Sequence, residues 1–154
     1  LLGAAAGSQG MAGGQAIDLA SVGKQLSEAQ LREMHRLKTG ALLLGSVLMG
    51  AACNAQTDAR ALAALTDYGQ ALGVAFQVVD DILDVVADSA TLGKTAGKDA
   101  ANDKPTFVSL LGLEAARAHA EQLRQQAHAA LTRSGLADTQ ALGALADMVV
   151  QRTH

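Results

Sequence analysis

Residues 59–86 read ARALAALTDYGQALGVAFQVVDDILDVV. The large apolar residues of this stretch recur at spacings of three, four and seven, which is the pattern of one face of an α-helix. They are Leu62, Leu65, Leu72, Phe76, Val79 and Leu83. The spacing predicts one long helix over residues 59–86 that buries this face.

The flanking sequence also predicts helices, and no segment has the pattern of a strand. Ser27 with Gln30 forms a capping-box pattern, a proline starts one helix, and Gly135 ends another. The predicted helices are Ser8–Ala20, Ser27–Ala52, one beginning at Lys104-Pro105-Thr106, Glu114–Arg133, and one from Asp138 or Thr139 to Gln151. We expect Ser21–Leu26 to connect two helices and Ser89–Asn102 to be a loop, so the predicted class is an all-α helical bundle.

Composition supports that class and excludes several kinds of protein. The chain has 154 residues, 49% of them apolar, with 2% aromatic residues and one proline. That length suits one domain, residues 1–154, and that apolar share excludes a disordered tail. A net charge of −3 gives no basic surface for nucleic acid, so we expect no nucleic-acid partner.

Compartment and membrane association follow from a few features. Cys53 is the only cysteine, which excludes a disulfide framework and favours a reducing compartment, the cytoplasm. The most apolar stretch, residues 41–53, is too short to span a bilayer. We expect it to be a buried helix, and we expect no stable membrane insertion.

Acidic residues interrupt the apolar pattern near the end of the long helix. Asp80 and Asp84 are four residues apart and share one helix face, with Phe76 and Gln77 one turn earlier. Like charges at this spacing destabilise a helix. One interpretation is a solvated acidic face. The other is a site for Mg²⁺, which prefers carboxylates and completes its shell with waters and phosphate oxygens.

Three lysines follow the acidic cluster within eleven residues: Lys94, Lys98 and Lys104. Lysines bind phosphate as point charges, although a flexible solvated loop would have the same composition. Lys38-Thr39 precedes the apolar stretch, where a lysine could also extend to solvent. Gln15 and Asp18 are weaker candidates, since either could be an ordinary polar surface residue.

Together, these residues resemble the trans-isoprenyl diphosphate synthases. The segments that carry the resemblance are Gly10–Leu19, Lys38-Thr39-Gly40, Phe76-Gln77 with Asp80-Asp81-Ile82-Leu83-Asp84, and the run Leu92-Gly93-Lys94, Gly97-x-Asp99, Asp103-Lys104-x-Thr106. Within that family the chain is most similar to bacterial farnesyl or geranyl diphosphate synthases. The resemblance implies a bundle of the isoprenoid synthase type.

The resemblance also implies a reaction that joins isopentenyl diphosphate to an allylic diphosphate with the help of Mg²⁺, for which Mn²⁺ could substitute. It assigns metal binding to Asp80, Asp81 and Asp84, with Asp81 set further from the ion or near the other diphosphate. It assigns diphosphate binding to Lys38, Lys94 and Lys104. It places Thr39 and Gln77 near the reacting centre, Phe76 in the pocket of the second substrate, and Gln15 and Asp18 along the allylic site.

One family feature is missing from the chain. The first aspartate-rich motif of the family lies on an earlier helix and has no counterpart here, so we expect a C-terminal half that alone does not catalyse prenyl transfer. At full length the family resemblance implies a homodimer. Alternatives are a synthase of longer chains, a non-catalytic partner subunit, a terpene cyclase, and a plain helical interaction domain with a charged face.

Overall fold

The computed structural model describes residues 1–24, 26–55, 57–91 and 106–152, without the side chains of residues 87–91. The described elements are all helical. They are α1 (Leu2–Ala6), α2 (Met11–Ala20), α3 (Glu28–His35), the π-helix π1 (Arg36–Gly40), α4 (Ala41–Ala52), α5 (Ala59–Thr91), α6 (Phe107–Leu111), α7 (Leu113–Ser134) and α8 (Gln140–Gln151). The prediction of an all-α bundle therefore agrees with the described residues.

Helix α5 is the centre of the bundle. It packs most extensively against α7 and also contacts α4, π1 and α8. Its buried face contributes Leu65, Tyr68, Leu72, Ala75, Val78, Val79 and Ile82 to the core. The facing side of α7 is rich in alanine, and its buried residues include Ala116, Ala120, Ala127 and Ala130. Small side chains let the two helices approach closely. Each fully buried Leu or Val side chain stabilises the folded state by roughly 1.5–3 kcal/mol.

Three helix ends have capping groups, and two of these groups, at Ser27 and Gly135, are the ones that the sequence predicts. At α3, the Ser27 hydroxyl accepts from the Gln30 backbone N–H while the Gln30 side chain accepts from the Ser27 backbone N–H. At α5, Asp58 accepts a hydrogen bond of 2.7 Å from the backbone N–H of Ala61. Gly135 ends α7 with a φ of 71°, a conformation that glycine adopts without steric cost.

The predicted helix Ser27–Ala52 is wrong in one respect. The helix is continuous, but its middle turn is π1, with hydrogen bonds five residues apart in place of four. Apolar spacing does not reveal such a turn, because one extra residue only rotates the helix face that follows it.

Other predicted boundaries also differ. Helix α5 runs to Thr91, so residues 89–91 are helical where a loop was expected, and residues 92–102 lie outside the described part. Within α5, Leu62 is 45% exposed although its spacing placed it on the core face. Helix α2 begins at Met11, not Ser8, and α1 was not predicted.

Helix α4 is not the buried helix that its composition suggested. Only Gly45 is buried, and the remaining residues of the helix are half-buried or exposed. Composition records how apolar a helix is, whereas burial depends on how many neighbours surround it. None of the described helices is both long enough and apolar enough to cross a membrane.

Candidate active site

Lys38 and Asp18 form an ion pair between π1 and α2. The Lys38 Nζ lies 2.7 Å from Asp18 Oδ2, and the Asp18 side chain is 8% exposed. Lys38 therefore does not simply extend into solvent. The structure thus brings together two of the residues that are weak candidates separately, and Gln15 is half-buried one turn earlier on α2.

Gly14 is the reason that α2 reaches π1. A Cβ atom at this position would lie 2.1 Å from the Lys38 backbone nitrogen, which is too close for any side chain. On the other side of π1, a Cβ on Gly73 would lie 2.8 Å from the Cα of Gly40. Two glycines thus let α2 and α5 enclose the π-turn that bears Lys38 and Thr39.

A chain of hydrogen bonds connects π1, α5 and α6. The Thr39 hydroxyl donates to Gln77 Oε1 at 3.2 Å, and Gln77 Nε2 donates to Asp81 Oδ1 at 3.2 Å. The second oxygen of Asp81 accepts from the Phe107 backbone N–H at 2.7 Å. Residues far apart in sequence thereby form one polar line.

Burial controls the charge of Asp81. The residue is 5% exposed, and loss of hydration raises the pKa of its carboxyl to about 6, against the lowering effect of the two hydrogen bonds. Asp81 is therefore ionised at neutral pH but is held among protein donors.

His35 lies beside this polar line and was given no role from the sequence. It is 5% exposed and stacks on Phe107 with ring centroids 5.6 Å apart. Burial and the nearby charge of Lys38 lower the pKa of His35 to about 4, so the ring is neutral at pH 7. Within the described residues neither ring nitrogen makes a hydrogen bond of normal geometry, although the Gln77 side chain lies close enough to favour the charged ring.

The other two aspartates face a different environment. Asp80 is half-buried, and Asp84, one turn later, is exposed. The Asp80 carboxylate accepts a hydrogen bond from the guanidinium of Arg152, which the sequence did not single out. Asp80 and Asp84 remain on one accessible helix face, as their spacing predicted.

Arg152 also covers Phe76. Its guanidinium lies 4.1 Å from the centroid of the Phe76 ring and donates to the Phe76 backbone oxygen at 2.8 Å. The end of α8 therefore packs over the helix turn that precedes the aspartates. No local pattern indicates this contact, because 76 residues separate the two partners.

The donor chemistry of Asp80 and Asp84 suits a hard cation such as Mg²⁺. Both are carboxylates on one face, and neither is fully enclosed by protein, which leaves room for waters or phosphate oxygens. In the described part of the chain no cluster of three or more His, Cys, Asp or Glu side chains is arranged to hold a metal ion. Asp80 and Asp84 are the described residues whose chemistry fits such an ion.

Lys94 and Lys104, the predicted diphosphate ligands, lie outside the described residues. The described chain resumes at Thr106, whose hydroxyl caps α6. The next residue is Phe107, whose N–H is bound by Asp81. The described chain therefore resumes next to the aspartate-rich turn.

An apolar groove near π1 is not part of this constellation. It has a volume of about 480 Å³ and is lined by Arg36 and Gly40 of π1 and by residues of α3, α4 and α5, including Leu44. None of the sequence-predicted site residues lines it. The polar line and the aspartate face, which bear the chemistry, are the better candidate.

Known proteins supply an independent comparison. The family model described as polyprenyl synthetase matches residues 5–142. The chain belongs to the polyprenyl synthetase family. The farnesyl diphosphate synthase of Escherichia coli (strain K12) is 47% identical to this chain over 153 residues, which are 98% of the chain and 51% of the relative. The chain thus spans about half the length of the curated relatives it matches.

Solved structures have the same architecture. A geranyltransferase from Legionella pneumophila superposes with a TM-score of 0.80 at 31% identity, over 97% of this chain and 47% of that one. A geranyltransferase from Helicobacter pylori, complexed with magnesium and isoprenyl diphosphate, has a TM-score of 0.74 at 34% identity, over 96% and 48%. The family and the all-α class predicted from the sequence are confirmed.

Proposed function

We propose that this chain forms one half of the active site of a Mg²⁺-dependent prenyltransferase, which condenses isopentenyl diphosphate with an allylic diphosphate to farnesyl or geranyl diphosphate. One observation supports this above others. Thr39 on π1 bonds to Gln77 on α5, one turn before the aspartates, and Lys38 of the same π-turn pairs with Asp18 on α2. Separate sequence segments thus converge as a site that binds and ionises a diphosphate requires.

In this proposal the site residues have different roles, which follow from the chemistry of their side chains. Lys38, Lys94 and Lys104 would bind diphosphate oxygens, and Asp80 and Asp84 would hold Mg²⁺. When bound, the metal stabilises negative charge on the leaving diphosphate. Gln15 and Asp18 would line the allylic site, and Phe76 would face the second substrate.

In the proposed reaction the C–O bond of the allylic diphosphate breaks and leaves a carbocation. The double bond of isopentenyl diphosphate forms the new C–C bond, and a proton is then lost. The oxygens of Thr39 and Gln77, held by their mutual hydrogen bond, would face the positive charge. The departing diphosphate is a suitable proton acceptor, so the proposal needs no side-chain base.

The second wall of such a site must come from outside this chain. The aspartates described here would supply two accessible carboxylates, and a Mg²⁺ ion held by them would need further ligands. We infer that residues 1–154 are the C-terminal part of one isoprenoid synthase domain and do not turn over substrate alone. We also expect a homodimer at native length, as the family resemblance implies.

The test is a prenyl-transfer assay on the 154-residue chain and on the protein at native length. Both substrates and Mg²⁺ are supplied, and products are identified by mass spectrometry. We expect product only at native length, and its carbon number separates a farnesyl synthase from a synthase of longer chains. Absence of any prenyl product from the native-length protein would overturn the proposal.

Variants connect the activity to the site. Asp80→Asn is expected to lower turnover at least 100-fold, because a carboxylate ligand is lost. Asp67→Asn is the matched control, since Asp67 lies on the same helix but pairs with Arg133 at the surface. Equal activity of the two variants would show that the aspartate face is merely solvated.

A further inference from the structure

We propose that Asp81 is a positioning residue that sets the direction of the Gln77 and Thr39 hydrogen bonds, and that it is not a metal ligand. The inference rests on the proposed function and assigns a separate role to one aspartate of the three. The resemblance assigns metal binding to Asp80, Asp81 and Asp84, with Asp81 further from the ion, whereas this inference separates Asp81 from the other two.

The first support is that both oxygens of Asp81 already have protein donors. Oδ1 accepts from Gln77 Nε2 at 3.2 Å, and Oδ2 accepts from the Phe107 N–H at 2.7 Å. The residue is 5% exposed, whereas Asp80 is half-buried and Asp84 exposed. A metal ion at Asp81 would have to displace a backbone hydrogen bond in the interior.

The second support is the direction of the hydrogen bonds. An ionised carboxylate only accepts hydrogen bonds, so the Gln77 amide must turn its NH₂ group towards Asp81. Its oxygen then faces Thr39, and the Thr39 hydroxyl proton must point at that oxygen. The lone pairs of Thr39 are left free, and they are the part of the group that would stabilise a nearby positive charge.

The third support is that the Phe107 N–H fixes which oxygen of Asp81 an asparagine would replace with an NH₂ group. The direction of the Gln77 and Thr39 hydrogen bonds then depends on that one substitution. In an Asp81→Asn variant, the N–H of Phe107 requires the amide oxygen at the position of Oδ2, which places the new NH₂ group opposite Gln77. Gln77 must then flip and donate towards Thr39, which turns the hydroxyl proton away. The variant keeps every hydrogen bond but reverses the polarity of the line.

The experiment compares Asp81→Asn, Asp81→Ala and Asp80→Asn with the unchanged protein at native length and pH 8. Steady-state kinetics give kcat and the Mg²⁺ concentration for half-maximal rate. Mn²⁺ binding with inorganic diphosphate, measured by electron paramagnetic resonance, reports the metal without turnover. Hydrogen exchange of the peptide that contains Phe107 reports whether the start of α6 stays anchored.

We expect Asp81→Asn to lower kcat at least tenfold, with the Mg²⁺ half-saturation and Mn²⁺ binding within twofold of the unchanged protein and Phe107 still protected. Asp81→Ala should lower kcat similarly and also speed exchange at Phe107. Asp80→Asn should raise the Mg²⁺ concentration for half-maximal rate at least tenfold.

Two results would overturn the inference. A shift in metal binding by Asp81→Asn as large as that of Asp80→Asn would make Asp81 a ligand. Unchanged kcat in Asp81→Asn would make the residue purely structural. If the unchanged protein makes no prenyl product, the proposed function is overturned instead. The hydrogen-exchange and Mn²⁺-binding data would still decide whether Asp81 holds the start of α6 or binds the metal.

Discussion

At the residue scale, Gly14 sets the distance between α2 and the π-turn. Its hypothetical Cβ lies 2.1 Å from the Lys38 backbone nitrogen, and backbone atoms cannot move aside as a flexible side chain can. We expect Gly14→Ala to cost about 1–3 kcal/mol in the free energy of unfolding and to weaken the contact that places Lys38. Urea denaturation measures the first effect.

Gly50 provides the matched control. It is an exposed helical glycine of α4, and an added Cβ would meet no atom within 4 Å. Gly50→Ala should therefore stabilise the protein by about 0.5–1 kcal/mol, because alanine favours the helix. Destabilisation by both substitutions to the same extent would contradict the close-approach explanation.

His35 makes stability depend on pH with a defined sign. Its pKa falls from 6.5 to about 4 on folding, so the unfolded chain binds the proton more readily. The contribution of neutral His35 to the free energy of unfolding, up to about 3 kcal/mol, is complete above pH 6.5. It is lost as the pH falls towards 4. We expect His35→Gln to remove this dependence.

The measurement is the difference in unfolding free energy between the unchanged protein and His35→Gln at pH 7.5, 6.5, 5.5 and 4.5. Asp81, whose pKa is raised to about 6, acts with the opposite sign, because stability from it falls as the pH rises from 3.8 to 6. The contribution of Asp81 is the same in both proteins, so it cancels in the difference between their unfolding free energies. A difference that stays constant over this range would refute the prediction.

At the element scale, the capping box fixes where α3 starts, eight residues before π1 begins at Arg36. The Ser27 backbone N–H donates to Gln30 Oε1 at 2.9 Å. We expect Ser27→Ala to cost about 1 kcal/mol, whereas Ser27→Asp keeps an acceptor and loses little. Thermal denaturation of both variants checks this, and equal losses would argue against capping.

The π-turn itself is the element that sequence reasoning missed. The apolar residues before and after the π-turn keep the spacing of an α-helix. The one extra residue in the turn therefore leaves Lys38-Thr39-Gly40 indistinguishable from α-helix in the sequence. What stabilises the turn is the enclosure by Gly14 on α2 and Gly73 on α5. Both contacts are tertiary, so the local sequence does not encode them in a visible pattern.

At the scale of the whole molecule, Tyr68 connects the centre of the bundle to its last helix. It is fully buried, and its hydroxyl donates to the Leu142 backbone oxygen at 2.8 Å across 74 residues of sequence. Burial raises the pKa of Tyr68 to about 12, so the hydroxyl keeps its proton at every ordinary pH and can always donate.

We expect Tyr68→Phe to lower the free energy of unfolding by about 1 kcal/mol, since one buried hydrogen bond is lost. Thr66→Val is the control, because the Thr66 hydroxyl bonds only one turn back within α5, at 2.8 Å to Leu62. That variant should stay within about 0.5 kcal/mol of the parent. A larger loss in the control would indicate that helix propensity, not the bridge, accounts for the effect.

The sequence alone determined the helical class, the capping box at Ser27, the stop at Gly135, and the shared face of Asp80 and Asp84. These features depend on interactions within about four residues along one helix, so spacing reveals them. The family resemblance rests on the same ordered local segments.

Only the tertiary structure decided which aspartate is buried, what holds it, and what covers the others. Asp81 meets Phe107 26 residues away, Thr39 meets Gln77 across 38, and Arg152 reaches Asp80 across 72. Asp80 and Asp81 are adjacent in sequence, but a helix turns each residue by about 100°. That rotation points Asp81 into the core and Asp80 outwards, and the packing of α6 and α8 then gives each a different chemistry.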